Sequence, residues 1–500
     1  MKTMLLTIAA VSIAIPALFT GMHPARHLCS NYSVTSPADD RSERTSRSNA
    51  DSALSGIRRS FRPPLPADTG VNYEGTIPLT QQNRVENYAI VFSKTGMEDF
   101  NLLIDCTFTL RFDEDSTAVM RFGGDAAYSV GALRVTVSPE AAWHYDPEAR
   151  TIAFTAPTRQ PRRIRMTYVY CNLTSAFVYG DNGCELWEPS YGENFYPYVF
   201  GDRSHFDVRY ELPAGIIPLG GYPWRECVGK ENTRLFHSRI PEAVVSHSCV
   251  FALLDTTRYR ETVHLLDRDT LRLWFMPAPE VPAARIDELH RLTRDATAFF
   301  AACFGPYDDA RNAIGGHPVY LFHTSGYSNR NNLNLISASQ EKFAAKPHLL
   351  PLAHEIGHRW LGEWTLLIPD GAEAAYFIKE SLNEYMTLLF VRATAGEEVF
   401  RSLLETEYEK PFRAVRGTAA DVRLIDMRHN DNNTAVYCKG PVVLDRVASR
   451  MGYDRWIGFM RRFYTTWRYR PGLAYPSFVG LLARDDPQAA RLLDSLVRTF

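Results

Sequence analysis

The residues best able to do chemistry lie between positions 354 and 437. His354-Glu355-Ile356-Gly357-His358 places two imidazoles four residues apart with a carboxylate beside the first. On a helix, residues four apart share a face, so both rings can address one ion. Glu355 is rotated from His354 by about 100° and can reach a water on that ion rather than the ion itself. Zinc suits such a set, because catalytic zinc sites take three protein ligands and leave a position open for water. A third ligand must come from another element. Phe377 to Phe390 (FIKESLNEYMTLLF) reads as helix and carries Glu380 and Glu384 one turn apart on one face. Only one of them need bind the ion, and the other can hold a ligating histidine by a hydrogen bond. Taken singly, either also reads as an ordinary exposed helix glutamate.

Around these residues the chain changes character twice. From Val71 to about Pro279 it is rich in β-branched and aromatic runs with partial period-two alternation, such as Leu102 to Phe112, Ala132 to Val137 and Ile164 to Tyr170. This predicts an antiparallel β domain over 71–279. Ile286, Leu289, Ala296, Phe299, Phe300 and Cys303 then fall at helical spacing, and Gly305-Pro306 ends that helix. A short strand at Pro318 to Phe322 follows, and Leu350 to Phe500 reads as mainly helical. The second domain is therefore expected over 280–500, giving a multidomain α+β chain.

The chain has 500 residues, 45% of them hydrophobic, which is enough for two or three domains with their own cores. A formal net charge of -2 offers no concentrated basic face, so nucleic acid is not an expected partner. Lys2 precedes an apolar run from Met4 to Phe19, which predicts a signal peptide or membrane anchor over 1–28 and an exported protein, periplasmic, envelope-associated or secreted. Residues 29–70 are rich in Ser, Arg, Asp and Pro and are expected to be a disordered linker. Eight cysteines are scattered singly with no CxxC pair, which argues against zinc ribbons and thioredoxin-like motifs. In an exported chain Cys171 with Cys184, or Cys227 with Cys249, could pair; buried free thiols are the alternative.

Three segments in order resemble the M1 aminopeptidases, a gluzincin family. HEIGHRWLG is similar to their HExxHxWFG segment. Glu380-Ser381-Leu382-Asn383-Glu384-Tyr385 is similar to E-G-F-A-x-Y, and Tyr437-Cys438-Lys439-Gly440 to Y-x-K-G. A weaker similarity covers Phe195 to Gly215, and the likeness spans roughly residues 80 to 480. The resemblance implies a thermolysin-like, mainly helical zinc catalytic domain behind the N-terminal β domain. It also implies one Zn2+ per chain on His354, His358 and Glu380. Glu355 would then activate a zinc-bound water, and Tyr437 would stabilise the oxyanion. A rival alignment of Leu382-Asn383-Glu384 on a family L-N-E would select Glu384 as the third ligand.

One departure bears on substrate choice. The family's G-A-M-E-N carries a Glu that holds the substrate's free α-amine. The matching stretch is Ser328-Asn329-Arg330-Asn331-Asn332, with neutral Asn331 in that place. Losing the charge would weaken amine anchoring by roughly 1.5–3 kcal/mol, unless Glu341 or Glu363 substitutes. The expectation is therefore a zinc metallopeptidase acting on peptides as an aminopeptidase. An endopeptidase or oligopeptidase indifferent to a free N-terminus is the first alternative. A non-catalytic exported binding module on the same fold is the second.

Overall fold

The computed structural model describes residues 84–499 apart from 95–100, 113–116, 124–127, 173–177, 180–185, 188–194, 221–222, 230–232, 267–268, 278, 308–317, 324–329, 333, 346–348, 363 and 370. The expected signal or anchor segment, 1–28, and the expected linker, 29–70, lie outside the described residues. Among the described residues no helix is long and apolar enough to cross a membrane.

The first domain is built on a seven-stranded sheet. Its order is Arg225–Cys227, Thr233–Val245, Arg203–Pro213, Val85–Ser93, Asn101–Leu110, Arg162–Asn172 and Tyr128–Ser138. Period two shows plainly in Asn101–Leu110, where Leu102, Ile104, Cys106, Phe108 and Leu110 are buried and the residues between them face outward. A three-stranded and a four-stranded sheet complete this part. The large sheet is not wholly antiparallel, because Val85–Ser93 runs parallel to Arg203–Pro213. The join is fixed at one end by Asp202, whose carboxylate accepts from the backbone N–H groups of Arg84 (2.8 Å) and Val85 (3.1 Å).

One sheet straddles the expected boundary at residue 279. Arg260–Leu266 and Asp269–Phe275 join Val319–His323, Leu335–Ser339 and Arg330–Asn332 in a five-stranded sheet. One face of that sheet, with Leu271, Leu273, Phe275, Tyr320, Phe322 and Ile336, packs into the helical core. Trp274, Leu321 and Leu335 on its other face pack into the core of the β domain. The sheet is a wall shared by both cores. Alternation identifies such strands but not the sheet they will join.

Behind the wall stand the helices α1 (Ala283–Phe304), α2 (Leu350–Leu361), α3 (Leu382–Ala395) and α4 (Gly440–Met451). Pro351 sits in the first turn of α2, where its fixed φ suits a helix start and its missing N–H costs nothing. Most of α2 is buried, including His354 and Glu355, so the fold presses it from several sides. Gly357 makes that possible. A Cβ there would stand 2.1 Å from Asn383 Oδ1 on α3 and 2.6 Å from the Phe300 ring on α1. Trp360 stacks on Phe300 with centroids 5.6 Å apart and donates its indole N–H to the Gly305 carbonyl at 3.0 Å.

Cys227 and Cys249 are free thiols, so that expected pairing is not formed. Cys249 is buried in the β core while Cys227 sits, partly exposed, on an edge strand. Cys184 lies outside the described residues.

Candidate active site

The site forms where α2 meets two π-helical turns. Phe377–Ser381 leads into α3 and carries Glu380; Ala435–Lys439 leads into α4 and carries Tyr437. A π turn admits an extra residue into the helical ladder and changes where its side chains point. The two turns are tied together, since Ser381 Oγ donates to the Val436 carbonyl. Gly440 permits the approach, because a Cβ there would lie 2.1 Å from Ser381 Oγ and 2.4 Å from its Cβ. Gly440→Ala should therefore lose about 1–3 kcal/mol of stability through overpacking. Thermal unfolding should show most of it restored when Ser381→Gly is added.

The chemistry gathers on one carboxylate oxygen. Glu380 Oε2 lies 3.2 Å from His354 Nε2 and 3.3 Å from His358 Nε2. Tyr437 donates its hydroxyl to the same oxygen at 3.0 Å, and Asn430 Nδ2 donates to the Tyr437 hydroxyl oxygen at 3.2 Å. The other side of His354 is also held, with Nδ1 2.6 Å from Glu384 Oε2. Glu384 in turn accepts a hydrogen bond from the Tyr408 hydroxyl, and Asn383 Nδ2 donates to the His354 backbone carbonyl at 2.7 Å.

His354 is 6% and Glu355 8% exposed, so their charges are poorly hydrated. Burial opposes the His354 cation, but hydrogen bonds to Glu380 and Glu384 outweigh it and hold the pKa well above its ordinary value. Burial pushes the Glu355 carboxyl up, partly offset by His354 and His358. Burial also acts to raise Glu380, yet the charge of His358 and the hydrogen bonds to both histidines bring it well below the usual carboxylate range.

This donor set fits zinc. One ligand atom from each of His354, His358 and Glu380 lies within 4.8 Å of the others. Four ligands about 2.0–2.1 Å from a tetrahedral zinc are separated from one another by about 3.3 Å, and the two separations to Glu380 are 3.2 and 3.3 Å. Glu384 on Nδ1 would leave Nε2 of His354 as the ligating nitrogen, the usual support for a metal-binding histidine.

No protein-family model matches the chain, and no curated protein matches it in sequence. Solved structures do match. The M1 zinc metallopeptidase from Deinococcus radiodurans superposes with a TM-score of 0.63 at 17% identity, over 83% of this chain and 94% of that one. A mutant of that enzyme bound to a Tyr-Ser-Ala substrate superposes with the same TM-score at 16% identity, over 84% and 96%. A two-domain M1 zinc metallopeptidase mutant bound to L-tryptophan gives 0.62 at 16% identity over the same shares. The chain has the M1 zinc metallopeptidase fold.

Within this M1 fold the residues singled out in the sequence divide as follows. His354, His358, Glu380 and Tyr437 come together around one point, with Glu355 next to His354 on the same buried helix. Glu384, the choice of the rival alignment, is brought to the far side of His354, where its carboxylate meets Nδ1 and lies outside the three-residue cluster. Asn331 is on the edge strand Arg330–Asn332, pairing with Ile336, while its side chain and Glu363 lie outside the described residues. Glu341 is exposed on the helix Gln340–Ala345. Tyr408 and Asn430 were not foreseen, and neither lies in a segment with a recognisable spacing.

One further support sits behind Tyr437. Lys439 Nζ donates to Asp421 Oδ1 at 3.0 Å and to the Val422 carbonyl at 2.8 Å, with both charged side chains 3% exposed. The pair fastens the π turn that carries Tyr437 to the loop in front of it.

Proposed function

We propose that the chain is a zinc-dependent peptidase that removes residues from the free N-terminus of peptides. The observation that carries this reading is the convergence of His354, His358 and Tyr437 on Glu380 Oε2, with Glu355 beside it. The fold supports it, as do the tripeptide and the amino acid named with structures of that fold. His354, His358 and Glu380 would hold one zinc per chain. When bound there, zinc supplies a Lewis acid that polarises the scissile carbonyl and makes water more acidic.

The chain's own groups do the rest. Glu355 takes the proton of the attacking water and returns it to the departing amine. Tyr437 turns its hydroxyl from Glu380 to the oxygen of the tetrahedral intermediate, where a fixed donor is worth most. Glu384 and Asn383 hold His354 from its ring and its backbone and keep it in register.

Neutral Asn331 on the edge strand favours a second reading, an endopeptidase or oligopeptidase that does not need the α-amine. One peptide offered free and N-acetylated, with the zinc content measured, separates the two. Cleavage of the free form alone supports the aminopeptidase. Cleavage of both moves the assignment to the endopeptidase, and zinc-loaded protein that cleaves neither removes both. Export is proposed on the apolar run from Met4 to Phe19 after Lys2. Cell fractionation followed by N-terminal sequencing would test it.

A further inference from the structure

Tyr437 has one hydroxyl proton, and the direction of that proton decides whether it can serve an oxyanion. The hydroxyl meets Glu380 Oε2 at 3.0 Å and Asn430 Nδ2 at 3.2 Å. Glu380, as a carboxylate, only accepts. The proton therefore points at Glu380, and Asn430 must present its N–H to the lone pair on the other side of the oxygen. A donor in that place does two things. It offers the proton no acceptor on that side, and it polarises the O–H so that the hydroxyl donates more strongly.

The loop that carries Asn430 is anchored for this task. The Met427 carbonyl accepts from Tyr376 N at 3.1 Å, and Arg428 exchanges bonds with Gly371 through its carbonyl (3.2 Å) and its guanidinium (3.0 Å). Just beyond, Asn432 Oδ1 accepts from Ala435 N at 3.0 Å at the start of the π turn that bears Tyr437. The loop is thus tied both to the segment leading to Glu380 and to the segment holding Tyr437.

From the juxtaposition of the Asn430 amide and the Tyr437 hydroxyl we infer that Asn430 is a positioning residue that aims the Tyr437 proton at the reacting oxygen. This rests on the peptidase reading and adds a residue to it. Asparagine is required as a donor, not as a shape, and the two demands separate experimentally. Asn430→Asp keeps the shape but only accepts, so it would draw the Tyr437 proton away; Asn430→Ala merely removes the aim.

The test uses the zinc-loaded full chain. It measures kcat and KM for a peptide, and calorimetric affinity for a phosphinic pseudopeptide whose tetrahedral oxygens stand in for the oxyanion. Zinc content and thermal unfolding are recorded for every variant. Asn430→Ala should lower kcat and phosphinate affinity roughly tenfold with KM little changed. Asn430→Asp should lower both further, and neither substitution should add to Tyr437→Phe. An aspartate milder than alanine, or effects that multiply with those of Tyr437→Phe, overturns the inference while the peptidase reading stands. A wild-type protein that holds zinc yet neither cleaves peptide nor binds the phosphinate removes both.

Discussion

Glu355→Gln should leave zinc content at one per chain and lower kcat by roughly 10²- to 10⁴-fold, the usual contribution of a positioned general base. The substitution conserves volume, so α2 should pack as before around a side chain that is 8% exposed. It removes the one carboxylate next to His354 in sequence that lies outside the ligand cluster. KM should move little, because in the proposed mechanism the residue acts on the water and the departing amine rather than on binding. Atomic absorption and steady-state kinetics on the same preparation check both halves. Zinc lost along with activity would make Glu355 a support of the metal pocket, and unchanged activity would remove it from the mechanism.

Asp421→Ala should be the most damaging single change away from the metal. It strands the Lys439 ammonium at 3% exposure with the Val422 carbonyl and the face of the Phe412 ring, 5.4 Å away, and no counter-charge from Asp421. Removing one member of a buried pair costs about 3–5 kcal/mol, most of it for the uncompensated charge. Denaturant unfolding should show that loss, and the phosphinate affinity should fall with it because the Tyr437 turn loses its anchor. The pair also gives stability a pH dependence of defined sign. Burial acts to raise the Asp421 carboxyl, but the Gly417 N–H and Lys439 outweigh it and hold the pKa below the ordinary value. Stability from a depressed carboxylate is present above its unfolded pKa, near 3.9 for Asp, and is lost as pH falls through the lower folded value. The gap between wild type and Asp421→Asn should therefore be constant at neutral pH and close only in strong acid.

What could be read in the sequence followed the range of the interactions. His354 and His358 were legible because four residues along a helix is a local distance. The placing of Glu380 and Glu384 was only half legible: one helix face offers both, and only the structure shows which side of the His354 ring each reaches. Tyr437 was found through its neighbours in order, since a lone tyrosine before a helix carries no signal. Asn430 was hidden in a polar run, HNDNNT, where nothing local marks one asparagine from the next. That one sheet straddles residue 279, and that two strands of another run parallel, was not legible for one reason. Period two tells which face of a strand is buried, but the sheet it joins is decided by chain far away. Cys227 and Cys249 made the same point, being close in sequence yet on an edge strand and in a core.

The parallel pair also constrains the order in which the first domain can form. Val85–Ser93 has one neighbour that follows it at once, Asn101–Leu110, and one that does not exist until Arg203–Pro213 has been made. The contact that closes the pair, Arg84 N to Asp202, spans 118 residues. Making that loop so long adds little free energy over a shorter one, because the closure entropy grows only as the logarithm of length. It costs time instead. At a ribosome's rate of about 5–20 residues per second, the nascent hairpin waits on the order of ten seconds with one edge and one apolar face uncovered. During that interval Ile90 and Phe92, which end up 1% and 0% exposed, face the solvent or whatever holds the chain. Synthesis of this protein thus includes a window in which its central strand can be captured by another chain, and slower passage from residue 110 to 203 lengthens it.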